Sequence, residues 1–255
     1  MKNLFVFLLC FLSIGSFACV CGDQTITEKY IKSDFVAVVT ITKIYPNEKN
    51  SNFYRADIKI NELYKGEILK SIYVYGRSNR YEIGTSCDIF IPVNTKFVAY
   101  ADKNDLGFYS VGMCSGLLYL NKNRIKYQEN ELAILNTFKS KKINFTDKTN
   151  YQEISNSNIE LEKYKGIQLD KSYGIYEITF SSDLAIKKVE EISGFGNPID
   201  DELIEILSRT KWSIRNRLGI KNEVEDDTKF LFGYYYYEAE KGNKECLLAL
   251  QMTAY

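Results

Sequence analysis

Four cysteines constrain this chain more than any other feature. Cys19 and Cys21 form a C-x-C run, and Cys87 and Cys114 follow it. The run sits behind an N-terminus with the three-part form of a secretory leader: Lys2, an apolar stretch from Leu4 to Ile14, and small residues in Ser16-Phe17-Ala18. We read residues 1–18 as a signal peptide and expect an exported chain, periplasmic or secreted, whose mature form begins at Cys19. The alternative is a lipid anchor on Cys19, which Phe17 and Ser16 disfavour because a small residue and Leu are usual there. Outside the cytoplasm, four cysteines in one small domain favour disulfides over metal. The spacing also lacks the C-x₂-C knuckles of a structural zinc site. Cys19 cannot readily close on Cys21, because the intervening loop is too tight. That leaves Cys19–Cys87 with Cys21–Cys114, or the crossed pairing. Of the other two cysteines, Cys10 departs with the leader and Cys246 is an odd thiol.

The leader removes Lys2 alone from the 33 basic residues, so the mature chain carries 32 basic and 33 acidic groups, a net charge of −1. Such a balance leaves no electrostatic footprint for nucleic acid. The sequence has no histidine. The usual general base and commonest metal ligand are therefore missing, which excludes Ser-His-Asp and Cys-His machinery. With no catalytic constellation visible, the chain reads as a binding protein and not an enzyme, with no cofactor and no metal of its own. No segment after the leader is long enough to span a bilayer. The 255 residues less the 18 of the leader leave 237, comfortable for two domains.

From Cys19 to about Leu120 the pattern is mostly strand. Phe35 to Ile41 is an unbroken apolar run, suited to a buried strand. Ala56, Ile58 and Ile60 alternate with Asp57, Lys59 and Asn61, giving one dry and one wet face. Ile72–Tyr75, Phe97–Tyr100 and Phe108–Val111 add three more strands, and this spacing suits a small barrel or sandwich. Thr25-x-x-Glu28 is a capping box that predicts a short helix through Tyr30 and Ile31. Residues 128–139 read as a helix carrying Leu132, Ile134, Leu135 and Phe138, and 140–158 has a linker composition.

A second module follows. Tyr176, Ile178 and Phe180 alternate as a strand, whereas Ile186, Val189 and Ile192 fit a strand or a helix equally. Asn197 caps a helix with Pro198 in its first turn, three acids near its positive end, and Leu203, Ile206 and Leu207 as its buried stripe. Phe230 to Glu238 reads as a final aromatic strand, with Tyr234 to Tyr237 on its two faces. Gly194-Phe195-Gly196 reads as the turn before the helix. Asp226 and Asp227, with Glu223 and Glu225, read as a solvated turn because no calcium-loop spacing is present.

The first module resembles the N-terminal domain of the tissue inhibitors of metalloproteinases, a netrin-like module. The likeness rests on the C-x-C start, the short helix, Ser33 to Val39, Tyr64-Lys65-Gly66, Ser86-Cys87, Lys96 to Tyr100 and Met113-Cys114. It implies an OB-like five-stranded barrel and selects Cys19–Cys87 with Cys21–Cys114. It also implies a mechanism, in which the free amine and carbonyl of Cys19 chelate the zinc of a protease. Val20 would enter the pocket beside that zinc, next to Cys21, and Thr85, Ser86 and Asp88 would form the adjoining ridge. Val20 stands where these inhibitors usually have Thr or Ser, and the family's third disulfide here has no counterpart. The second module is similar to the C-terminal domain of TonB, through Gly174 to Phe180, Asp183, Ser193-Gly194, Ile199 to Leu203 and Trp212.

The resulting fold expectation is mainly β plus α+β: a disulfide-stapled OB-like five-stranded barrel over 19–140, a linker over 141–163, and a small TonB-C-like α+β domain over 164–255. The expected function is binding, and inhibition, of a zinc metalloprotease through Cys19. The competing expectation is a cell-envelope protein-binding scaffold without inhibitory activity.

Overall fold

The computed structural model describes residues 19–22, 24–82, 84–120, 125–145, 147–155, 158–196, 198–214, 223–238 and 247–249. The leader, the Asn197 cap and Cys246 lie outside the described residues, as does Thr146 of the glycosylation-like triplet Asn144-Phe145-Thr146. Among the described residues no helix is long and apolar enough to cross a membrane.

The first element among the described residues is helix α1 (Ile26–Lys32), and both halves of the capping box form. The Glu28 amide donates to Thr25 Oγ1 at 3.2 Å, and the Thr25 amide donates to Glu28 Oε2 at 2.8 Å. Strands β1 (Phe35–Ile44), β2 (Phe53–Lys65), β3 (Ser71–Tyr75), β4 (Lys96–Lys103) and β5 (Tyr109–Val111) then make one sheet in the order β1-β2-β3-β5-β4. Because β1 also pairs with β4, the sheet closes on itself. The result is a closed five-stranded barrel consistent with an OB-like fold. Closure needs strongly bent strands, and the β1–β2 ladder shifts register at three places along its length. A short strand, β6 (Leu118–Tyr119), extends the sheet beside β4.

β1 is buried on both faces, which explains its unbroken apolar run. Phe35, Ala37, Val39 and Ile41 point into the barrel with Ile72, Val74, Phe97 and Ala99. Val36 and Val38 point the other way, with Val98 and Tyr100 of β4, into a second core. That core takes in Ile26, Tyr30 and Ile31 of α1 and the predicted stripe Leu132, Ile134, Leu135 and Phe138 of helix α2 (Lys126–Ser140).

The same core continues through the C-terminal half. The stretch expected as a linker carries β7 (Tyr151–Glu153) and a short helix α3 (Asn158–Leu161), and Tyr151, Leu161 and Tyr164 are all buried in it. β7 pairs with β10 (Trp212–Ile214). Strands β8 (Tyr173–Phe180), β9 (Ile186–Ser193), β11 (Thr228–Tyr237) and β12 (Leu247–Ala249) form an antiparallel sheet in the order β12-β11-β8-β9. The ambiguous 186–193 segment is thus the strand at one edge of this sheet. Phe230 to Glu238 is followed by β12, so it is not the last strand. Helix α4 (Ile199–Arg209) packs against β9.

Every residue of β8 is buried, and Tyr234, Tyr235 and Tyr236 of β11 are core residues. Phe180, Trp212 and Phe230 form an aromatic cluster with Tyr151, with centroids 5.0 to 6.3 Å apart. Rings at such separations add to the stabilisation from area burial alone.

Candidate functional site

The site expected from the sequence lies where three segments meet: residues 19–22, the loop between β3 and β4, and a 3₁₀ turn over Met113–Ser115. Two disulfides make the junction. Cys19 is bonded to Cys87 and Cys21 to Cys114, with Cα–Cα separations of 5.2 and 5.1 Å. Val20 lies between the two anchored residues and is 86% exposed. A β-branched apolar side chain held in solvent on a doubly stapled backbone has lost much of its freedom before any partner arrives. Its ordering cost on binding is correspondingly small.

Thr85 and Ser86 are exposed beside Cys87, and Asp88 is half-buried. Thr85 Oγ1 donates to Asp88 Oδ1 at 2.5 Å, the Asp88 amide donates to the Thr85 carbonyl at 3.1 Å, and the Cys87 amide donates to Thr85 Oγ1 at 3.3 Å. This tight turn sets the height of Cys87. The other Asp88 oxygen faces the Arg77 guanidinium, 3.7 Å from Nε. A Cβ on Gly84 would fall 1.6 Å from that oxygen, so a larger residue there would make the Asp88 carboxylate move aside. At the loop root, Asn47 from the β1–β2 connection donates to the Gly76 carbonyl and accepts from the Ser78 amide, both at 2.8 Å. Gly76, at φ +146°, approaches the Ile89 backbone too closely for any side chain.

The Cys114 turn is fixed by a polar group that sequence reasoning missed. Lys29 of α1 donates to Glu131 of α2 at 2.6 Å and to the Gly116 carbonyl at 3.3 Å, with its ammonium 4.6 Å from the centroid of the Tyr100 ring. Tyr100 donates its hydroxyl to the same Glu131 oxygen at 2.6 Å. Burial, and then the Glu131 carboxylate, push the Tyr100 phenol well above its ordinary range, so it stays a donor. The Lys29 partner lies 102 residues away, which no local pattern signals.

A pocket of about 410 Å³ opens behind the ridge, lined by Cys19, Cys87, Lys29, Lys32 and Met113 among others. The sulfurs of Cys19, Cys21 and Cys114 lie within 4.8 Å of one another. Each is committed to a disulfide and supplies no thiolate, so the group is not built to hold a metal. The arrangement presents an apolar side chain and a hydroxyl-bearing turn beside two disulfides as one edge.

Two smaller readings also have a structural setting. Asp200 is buried and accepts from the Tyr176 hydroxyl at 2.5 Å and from the Phe195 and Gly196 amides at 2.8 and 2.5 Å. The Gly194-Phe195-Gly196 turn is therefore held by the first turn of α4. Asp226 and Asp227 flank the Lys187 ammonium at 3.0 and 2.6 Å, so this acidic turn carries its own counterion.

No protein-family model matches the chain, and no curated protein matches it.

Proposed function

We propose that this is an exported binding protein whose Cys19 edge docks on a zinc metalloprotease and inhibits it. The observation that carries the reading is Val20, 86% exposed between two disulfide-anchored cysteines and beside the Thr85–Asp88 turn. Removal of residues 1–18 frees the Cys19 amine, and the amine and carbonyl of one residue are spaced to chelate a single zinc ion. The amine must be neutral to bind, which costs little at neutral pH given an ordinary α-amino pKa of about 8. Val20 then enters the substrate pocket next to the metal, and Thr85, Ser86 and Asp88 bind the adjoining cleft.

The two disulfides support the export reading, since such bonds persist in oxidising compartments. The C-terminal sheet serves in this account as a support that fixes the outer face of the barrel; its likeness to the TonB C-terminal domain belongs to the competing scaffold reading. Competition at the metal tests the proposal. A small hydroxamate that occupies the protease zinc should exclude the mature protein in a surface-binding assay. Simultaneous binding of both would overturn zinc chelation, and no binding to any extracellular zinc protease would favour the scaffold.

A further inference from the structure

The two disulfides are close neighbours. The sulfurs of Cys19, Cys21 and Cys114 lie within 4.8 Å of one another, so one sulfur of the Cys19–Cys87 bond sits beside both sulfurs of the Cys21–Cys114 bond. The segments that carry these sulfurs are held very differently. Cys114 lies in a turn fixed by three hydrogen bonds. The Ser115 amide donates to the Gly112 carbonyl at 3.1 Å, the Gly112 amide to Ser115 Oγ at 2.9 Å, and the Lys29 ammonium to the Gly116 carbonyl at 3.3 Å. Cys87 lies on the hydrogen-bonded Thr85–Asp88 turn. Among the described residues, 19–22 is tied to the barrel by its two disulfides and by no hydrogen bond.

A thiolate exchanges with a disulfide by reaching one of its two sulfurs. Once the Cys19–Cys87 bond opens, Cys19 stays tethered through Val20 to Cys21, with the Cys114 sulfur close by. A tethered thiol at this range acts at an effective concentration far above that of a free one. Closing Cys19 on Cys21 is disfavoured by the tight loop, whereas closing it on Cys114 meets no such obstacle. Loop entropy does not oppose that swap either. Cys21 and Cys114 are 93 residues apart, and moving the bond to Cys19 lengthens the loop only by the Cys19-Val20 step. The entropy depends on the logarithm of loop length, so the change is negligible.

We propose that the paired disulfides form a thiol–disulfide exchange site, at which a small thiol becomes attached to Cys87. The incoming thiolate attacks the Cys87 sulfur, forms a mixed disulfide there and expels Cys19 as a thiolate. Cys19 then attacks Cys114, forms Cys19–Cys114 and expels Cys21, which takes up the proton that the incoming thiol released. Two S–S bonds break and two form, so nothing is oxidised or reduced overall, and the thiol is the sole co-reactant. The entry point is accessible, since Cys87 is half-buried beside exposed Thr85 and Ser86. One consequence rests on the proposed protease edge: exchange detaches Cys19 from the Thr85–Asp88 turn and so switches inhibition off. The exchange itself needs no protease.

Two readouts test it. The double variant Cys87→Ser, Cys246→Ser leaves Cys19 free beside Cys21–Cys114 and removes the odd thiol. Its free thiols are trapped with iodoacetamide at about pH 8 and located by tandem mass spectrometry, in protein whose circular dichroism matches the parent. Label should shift from Cys19 onto Cys21 as well; label confined to Cys19 overturns the proposal. The second readout keeps Cys87 and does not depend on that variant folding. The Cys246→Ser protein is incubated with reduced glutathione and then alkylated. Glutathione on Cys87 together with label on Cys21 is expected. Glutathione on Cys87 with label on Cys19, or no adduct on Cys87, overturns the proposal. Both readouts are masses, so exchange in a protein that inhibits no protease supports this proposal while contradicting the inhibitor reading.

Discussion

The barrel and the C-terminal sheet solve the burial problem in opposite ways. The barrel has its own interior, a small set of residues that includes Phe35, Ile41, Ile72 and Phe97, and closes on itself through the β1–β4 pairing. The C-terminal sheet has no core of its own. Its residues join α1, α2 and the outward side of β1 and β4 in one continuous cluster. A closed barrel can therefore leave a rim and one outer face free for partners, because its stability does not depend on covering them. A sheet whose central strand is buried on both sides has little accessible face left to offer. The proposed function accordingly uses the rim of the barrel and treats the C-terminal half as support.

The largest expected effect comes from Phe180, fully buried at the centre of the aromatic cluster. Phe180→Ala should cost about 4 kcal/mol, and denaturant unfolding should remain a single transition because the core is shared. A barrel that stays folded while the sheet melts first would break the comparison, by making the two halves independent. Thr25→Ala removes the side-chain acceptor of the capping box and should cost about 1 kcal/mol, read as a shift in denaturation midpoint. A loss near zero would mean that packing alone holds α1 in place between barrel and sheet.

A pH dependence is also expected at Lys65. Its ammonium donates to the carbonyls of Tyr30 and Ile31, each at 3.0 Å, and to that of Phe145 at 3.5 Å, which ties the barrel to the chain beyond α2. Burial pushes this lysine down from its ordinary 10.5 to about 8, against the opposing pull of Asp34. Below about 8 it is charged in both folded and unfolded chains. Between about 8 and 10.5 the unfolded chain holds a proton that the folded chain has released, so stability rises with pH. Lys65→Met should flatten that rise when denaturation midpoints are compared at about pH 7.5 and pH 9.5. Burial also lowers Lys171, so the difference between variant and parent is the quantity to read.

Local chemistry made much of this legible in the sequence. The capping box, the alternation in β2 and the apolar stripe of α2 are short-range signals, and each element forms near its expected place. β9 stayed ambiguous because it is an edge strand whose pairing shifts register near both ends, which erases clean alternation. The 141–163 stretch reads as a linker because it has few apolar residues. Of those few, Tyr151 and Leu161 are buried, whereas Ile154 and Ile159 are exposed. Strand β7 is three residues long, too short to leave any period. At the site, the C-x-C run was visible, but the Lys29–Glu131–Tyr100 group and the close approach of Gly76 to the Ile89 backbone depend on contacts that only the folded chain makes.

The free Cys19 amine proposed for the mature chain is the centre of the account, and one comparison tests it directly. The mature protein and a form carrying one additional N-terminal alanine are assayed side by side against a zinc metalloprotease. The account predicts inhibition by the mature form and its loss in the extended form, because the added residue displaces the chelating amine while both disulfides stay in place. Equal inhibition by the two forms would contradict it.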